Sequence, residues 1–173
     1  LMTTLESLFV IAMCCCRKSS ADESIAEKTY GLSNDTDDFH PLTNKTKMAA
    51  GIPLNDEDRQ PWLDILKPEL RRLPQTETRP VFLACSALRE AYRERLSVGL
   101  PALRFIYLKG SKELIRERLT ARKDHFMPAA LLDSQFAILE EPMNAITVSI
   151  LRPLPDLVDT ILAAIAKNSL HQE

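Results

Sequence analysis

Glycine is the scarcest resource of this chain: four residues in 173, about 2% against a usual level of roughly 7%. Any loop that needs backbone freedom has few residues to draw on. Cysteine is poorly distributed rather than rare. Three of the four stand in a row as Cys14, Cys15 and Cys16, with Cys85 far downstream, which excludes both a spaced disulfide framework and CxxC zinc spacing. The three histidines, His40, His125 and His171, are scattered, so no structural metal site is expected. Excess charge is also missing: 22 Lys+Arg face 24 Asp+Glu for a net charge of −2. A pI near 6.0 excludes the basic footprint of a nucleic-acid binder.

Long apolar runs are absent as well. Residues 5–13, LESLFVIAM, are too short to span a bilayer, and no basic residue precedes them as a secretory signal would require. The expectation is a cytoplasmic protein with free thiols and no membrane association. S-acylation of Cys14 to Cys16 beside Arg17 and Lys18 stands as the alternative, since stable anchoring takes two lipid chains. What is present is 45% hydrophobic content, enough for one globular domain spanning residues 1–173.

Apolar runs of strand length alternate with helical patterns, the signature of an α/β fold with a parallel sheet. Strands are predicted at residues 8–13, 81–85, 104–108 and 146–151, with a short polar candidate at 32–34. A helix over 20–30 carries Ala21, Ile25 and Ala26 on one face. Asn55 is predicted to cap a helix with Trp62, Ile65, Leu66, Leu70 and Leu73 inward and a kink at Pro68, ended by the polar turn PQTETRP. Ser86 and Ser111 are predicted to open the next two helices, Pro128 to take the first position of another, and Leu157, Val158, Ile161, Leu162 and Ile165 to line the last.

Polar clusters fall at predicted strand ends, where open α/β sheets bind ligands. In NDTDDFHP, Asp35, Asp37, Asp38 and His40 could divide labour between a hydrated Mg²⁺ and a hydroxyl proton, or form an Asx-rich turn. Arg59 could grip a substrate carboxylate through its planar fork, or pair at the surface with Asp56 or Asp58. Arg116, Arg118, Arg122, Lys123 and His125 could close over phosphates, or form a solvated face partly offset by Glu113 and Glu117. Lys18 and Ser19 stand between a strand and a helix, where a phosphate-binding loop places its lysine and its Mg²⁺-coordinating hydroxyl.

The strings DDFHPLTNKTKMAAGIPLNDEDRQPWL, CSALREAYRERL, FIYLKG and LTARKDHFMPAALLDSQFAILEEP, in this order, closely resemble gluconokinase, a family of small P-loop carbohydrate kinases. The resemblance runs from about residue 35 to the C-terminus. It implies a P-loop kinase-like three-layer fold, a five-stranded parallel sheet, a helical lid over about residues 116–135, and ATP with Mg²⁺. It also implies phosphorylation of D-gluconate to 6-phospho-D-gluconate and a homodimer. Under it, Asp37 deprotonates the attacking hydroxyl, with Lys18 and Arg122 completing the catalytic set. Residues 12–20 (Ala12, Met13, Cys14, Cys15, Cys16, Arg17, Lys18, Ser19, Ser20) with Arg118 and Arg122 bind ATP, and Ser19 and Asp35 hold the metal. Asp37, His40, Lys47, Arg59, His125 and Gln135 face the substrate, and Cys85 is a core residue.

The nucleotide loop of that family follows GxxGxGKS, and this chain has Ala12, Cys15 and Arg17 at the three glycine positions. Glycines there permit positive φ and bring backbone amides against phosphate. Each left-handed residue bearing a Cβ costs about 1–2 kcal/mol. A deficit of roughly 3–5 kcal/mol corresponds to a hundred- to several-thousandfold in ATP affinity. Thr36 likewise replaces the glycine between the two aspartates, and Ser33 and Asn34 replace apolar strand residues, so residues 1–36 form the diverged region. Two functions follow as alternatives: a gluconate kinase, or a catalytically silent binding protein that keeps the sugar-acid pocket.

Overall fold

The computed structural model describes residues 8–12, 18–121 and 128–169; the side chains of Ala12, Lys18, Ser19, Ala129 and Ser169 are outside that description. Five parallel strands, β1 (Leu8–Ala12), β2 (Leu32–Asp35), β3 (Val81–Cys85), β4 (Leu103–Lys109) and β5 (Ile146–Ser149), form one sheet in the order β2-β3-β1-β4-β5. Parallel neighbours need crossover helices, and these are α1 (Lys18–Thr29), α2 (Leu42–Ala49), α3 (Asp56–Thr76), α4 (Glu90–Ser97), α5 (Lys112–Thr120), α6 (Ala129–Ile138) and α7 (Leu154–Ser169). A 3₁₀ turn over Thr36–Phe39 follows β2 directly.

The period-two alternation of the strands divides the core in two. Phe9, Ile11, Phe82, Ile106 and Val148 point to the face covered by Ala21 and Ile25 of α1 and by Leu157, Val158 and Ile161 of α7. Leu8, Val10, Leu83 and Cys85 point the other way, onto Trp62, Leu66 and Leu70 of α3 and Leu96 of α4. Burying each such side chain contributes about 1.5–3 kcal/mol, so covering both faces explains why β1 and β3 read as continuous apolar runs. Cys85 is a buried thiol outside any disulfide.

Several sequence expectations change here. The third helix starts where predicted, with a capping box in which the Asn55 side chain accepts from the Asp58 amide and Asp58 accepts from the Asn55 amide. It then runs through Pro61, Pro68 and Pro74 to Thr76, so the polar turn begins only at Glu77. Ile65 is 45% exposed, and Leu63 takes the buried place instead, because residues three and four beyond a core position share its face. The cap position of α4 is Arg89 rather than Ser86, with Ser86, Ala87 and Leu88 forming a buried connection ahead of it. Pro128 is the cap of α6 rather than its first residue. The polar strand at 32–34 is present and extends to Asp35, paired with β3.

No helix among the described residues is long and apolar enough to cross a membrane.

Candidate active site

The site lies at the C-terminal ends of β1, β2 and β3. Asp35, Ala84 and Ile11 pair across the three strands, so with strands about 4.8 Å apart the Asp35 backbone stands roughly 10 Å from the end of β1. The chain leaves β1 at Ala12 and enters α1 at Lys18, which puts a helix N-terminus, a ready anion site, at the same edge as the acidic turn. Met13, Cys14, Cys15, Cys16 and Arg17 lie outside the described residues, as do Arg122 and His125. Ser20 is half-buried in the first turn of α1.

Asp35 is both a strand end and a cap: its Oδ1 accepts from the Asp37 amide at 2.9 Å, which sets the 3₁₀ turn. Thr36 fits at this bend. Its buried hydroxyl donates to the Ala84 carbonyl at 2.9 Å, and its own carbonyl accepts from Trp62 Nε1 at 2.9 Å. Tyr30 is the only non-glycine with positive φ among the described residues, so Thr36 carries no left-handed strain.

His40 is buried and stacks on Trp62 with ring centroids 4.5 Å apart. Asn44 Nδ2 donates to the Asp58 carbonyl at 2.7 Å and lies 3.1 Å from His40 Nδ1. An amide nitrogen is a donor, so Nδ1 accepts and the ring proton sits on Nε2. That atom lies 3.8 Å from Asp37 Oδ1. Lys47 binds Asp58 at 2.7 Å, and this hydrogen bond, followed by the Asn55 amide, holds the Asp58 carboxyl below the usual range.

Arg59 departs most from its bland expectation. It is 5% exposed, and pairs with neither Asp56 nor Asp58: Asp56 binds Arg89 and Tyr92, and Asp58 binds Lys47. Its Nε is buried without a partner, and its guanidinium lies 5.6 Å over the Tyr92 ring. The Asp58 carboxylate senses the Arg59 charge while pairing with Lys47, and a desolvated cation without a direct ion pair is costly, so this is a place prepared for negative charge.

The lid-side residues divide. Arg116 pairs with Asp133 of α6 at 2.9 Å, beside Lys112, rather than with Glu113 or Glu117. Arg118 donates to the Ile150 carbonyl at 2.6 Å, at the end of β5. Gln135 is half-buried on α6. Gly51, with φ of 73°, ends α2 against Pro128, so the substrate-side segment touches the start of the return helix. Asp22 was not foreseen. It is buried in α1, and burial pushes its carboxyl up to about 7, opposed by the Glu23 amide that donates to it and assisted by the charges of Glu23 and Asp35. Asn44, Trp62 and Thr36 were also missed as site residues; the i, i+4 spacing of His40 and Asn44 was the available signal.

A five-stranded parallel sheet in this order, with a strand-to-helix entry beside an acidic turn, defines a P-loop kinase fold. No family model matches the chain. It is 39% identical over 154 residues to the thermoresistant gluconokinase of Escherichia coli (strain K12), covering 87% of each chain. It is 42% identical to the gluconokinase of Arabidopsis thaliana, covering 79% of each. The crystal structure of a gluconokinase from Sinorhizobium meliloti 1021 superposes with a TM-score of 0.85 at 35% identity, over 95% of this chain and 94% of that one. A shikimate kinase from Aquifex aeolicus shares the fold at a TM-score of 0.58 and 17% identity. The chain belongs to the gluconokinase family.

Proposed function

We propose that the chain transfers the terminal phosphoryl group of ATP to the primary hydroxyl of D-gluconate, giving 6-phospho-D-gluconate and ADP. The observation that carries this reading is Arg59, a buried guanidinium whose Nε has no partner, on the helix that packs against the turn bearing Asp37. Arg59 binds the acid's carboxylate at one end of the acceptor. Asp37 takes the proton of the hydroxyl at the other end as its oxygen bonds to phosphorus and the bond to the ADP oxygen breaks. His40, with its proton on Nε2, orients Asp37, and Lys47, Gln135 and His125 complete the acceptor side.

Lys18 and Arg122 neutralise the transferring group, while residues 12–20 and Arg118 bind the nucleotide. Mg²⁺ retains waters and takes few protein oxygens. One hydroxyl and one carboxylate, Ser19 and Asp35, suit that mode. Bound there, the ion would offset phosphate charge.

Ala12, Cys15 and Arg17, where the family's loop has glycines, favour the second reading: a protein that binds the sugar acid but holds nucleotide poorly. Coupled measurement of ADP release with gluconate, ATP and Mg²⁺ separates the two. Gluconate-dependent turnover supports the kinase. Its absence at saturating ATP, with gluconate still bound, supports the binding protein.

A further inference from the structure

Only two buried side-chain polar atoms among the described residues lack a hydrogen-bond partner, and both are guanidinium nitrogens: Arg59 Nε and Arg89 Nε. They belong to one cluster. Arg59 lies over the ring of Tyr92 at 5.6 Å. The Tyr92 hydroxyl donates to Asp56 Oδ1, and Arg89 Nη1 donates to Asp56 Oδ2 at 3.2 Å. Asp56 opens α3 three residues before Arg59, whereas Arg89 and Tyr92 sit at the start of α4. The cluster therefore stitches together the two helices on one face of the sheet, with the Arg59 Nε buried and unpartnered within it.

A guanidinium recognises a carboxylate through two parallel N–H bonds in its own plane, so the plane must be fixed before the ligand arrives. Ordinarily a carboxylate neighbour fixes it, but such a neighbour would also neutralise the charge. An aromatic face fixes the plane while leaving the in-plane donors unused. Tyr92 supplies that face. Burial first, and then the bond to Asp56, push its hydroxyl up to about 12, so it stays a donor to Asp56 and adds no charge beneath Arg59. Asp56 meets Arg59 only through the Tyr92 ring and pairs its own charge with Arg89, and Asp58 pairs with Lys47 while sensing Arg59 through space.

We propose that Tyr92, clamped through its hydroxyl by Asp56 and Arg89, is the positioning residue that holds the Arg59 guanidinium flat for the acceptor's carboxylate. This rests on the reading of Arg59 as the carboxylate-binding group. Recognition of the acid end then depends on a side chain of α4 that itself touches no substrate.

The test uses the full chain with ¹⁵N-labelled arginine and two readouts. The first is hydrogen exchange of the Arg59 Nε–H, assigned by its loss in Arg59→Lys, in the protein without ligand. Tyr92→Leu is expected to speed that exchange by about tenfold or more, and Tyr92→Phe, which keeps the ring, by less than about threefold. The second is calorimetric affinity for gluconate, expected to weaken by about tenfold in Tyr92→Leu and to stay within about threefold of the parent in Tyr92→Phe. Asp56→Ala, a change at an exposed side chain, loosens the clamp without opening the core. It releases both Tyr92 and Arg89, whereas Tyr92→Phe gives up only the first of these bonds, so it is expected to fall between the two, and it decides the matter if Tyr92→Leu does not fold. Unchanged exchange in both Tyr92→Leu and Asp56→Ala, or equal loss of gluconate affinity in Tyr92→Phe and Tyr92→Leu, overturns the proposal. Exchange that depends on Tyr92 in a parent protein that binds no gluconate supports the platform and overturns the choice of acceptor instead.

Discussion

The hydroxyl of Thr36 donates to the carbonyl of Ala84 at 2.9 Å, fastening the turn that carries Asp35 and Asp37 to the neighbouring strand. A glycine at this position could not make that bond. Thr36→Val keeps the shape and removes the donor, and is expected to destabilise the fold by about 1–2 kcal/mol. Urea unfolding measures it.

Tyr30 ends α1 with φ of 54° and is 87% exposed, so it bears left-handed strain with little packing in return. Tyr30→Gly is expected to stabilise by about 1 kcal/mol, the relief of a Cβ in that region less the added chain entropy. A rise in thermal midpoint checks this.

Asp22 makes stability depend on pH with a definite sign. Its carboxyl is ordinarily near 3.8 and stands at about 7 in the folded chain, so between these values the folded state holds a proton that the unfolded state has released. Stability from this group therefore falls as pH rises from about 4 to about 7 and levels off above. Asp22→Asn should match the parent near pH 4 and exceed it at pH 8 by on the order of 2 kcal/mol. Denaturant midpoints across that range read the difference.

Restoring glycine at the three loop positions (Ala12→Gly, Cys15→Gly, Arg17→Gly) is expected to raise kcat/KM for ATP by about tenfold or more, since each relieved residue is worth about 1–2 kcal/mol. Steady-state kinetics at saturating gluconate provides the comparison.

The sheet was legible because β1 and β3 are covered on both faces and so read as unbroken apolar runs, with β4 broken only by Arg104 before its apolar stretch. Helix ends were harder. Ser86 resembles a cap, but the chain continues buried for three residues before Arg89 takes that place. Within α3, spacing alone could not choose between Ile65 and Leu63, because the inward face is set by the sheet it meets. Asp37, His40 and Arg59 were visible as chemistry-bearing residues, yet local sequence put Arg59 among acidic neighbours and suggested surface pairing. Its burial follows from contact with α4, whose Tyr92 lies 33 residues away. The same distance hid Tyr92, which reads as an ordinary apolar member of its helix. Asp22 had no signal, being one polar residue on a largely polar helix.

The claim on which the account turns is that Arg59, a buried cation without a direct ion pair among the described residues, awaits a carboxylate. Arg59→Met fills nearly the same space without charge, and calorimetry with gluconate beside denaturant unfolding compares it with the parent. The expected result is loss of gluconate binding together with a gain of about 1–2 kcal/mol in stability, as removing an uncompensated buried charge predicts. Gluconate binding as tight in Arg59→Met as in the parent would contradict it.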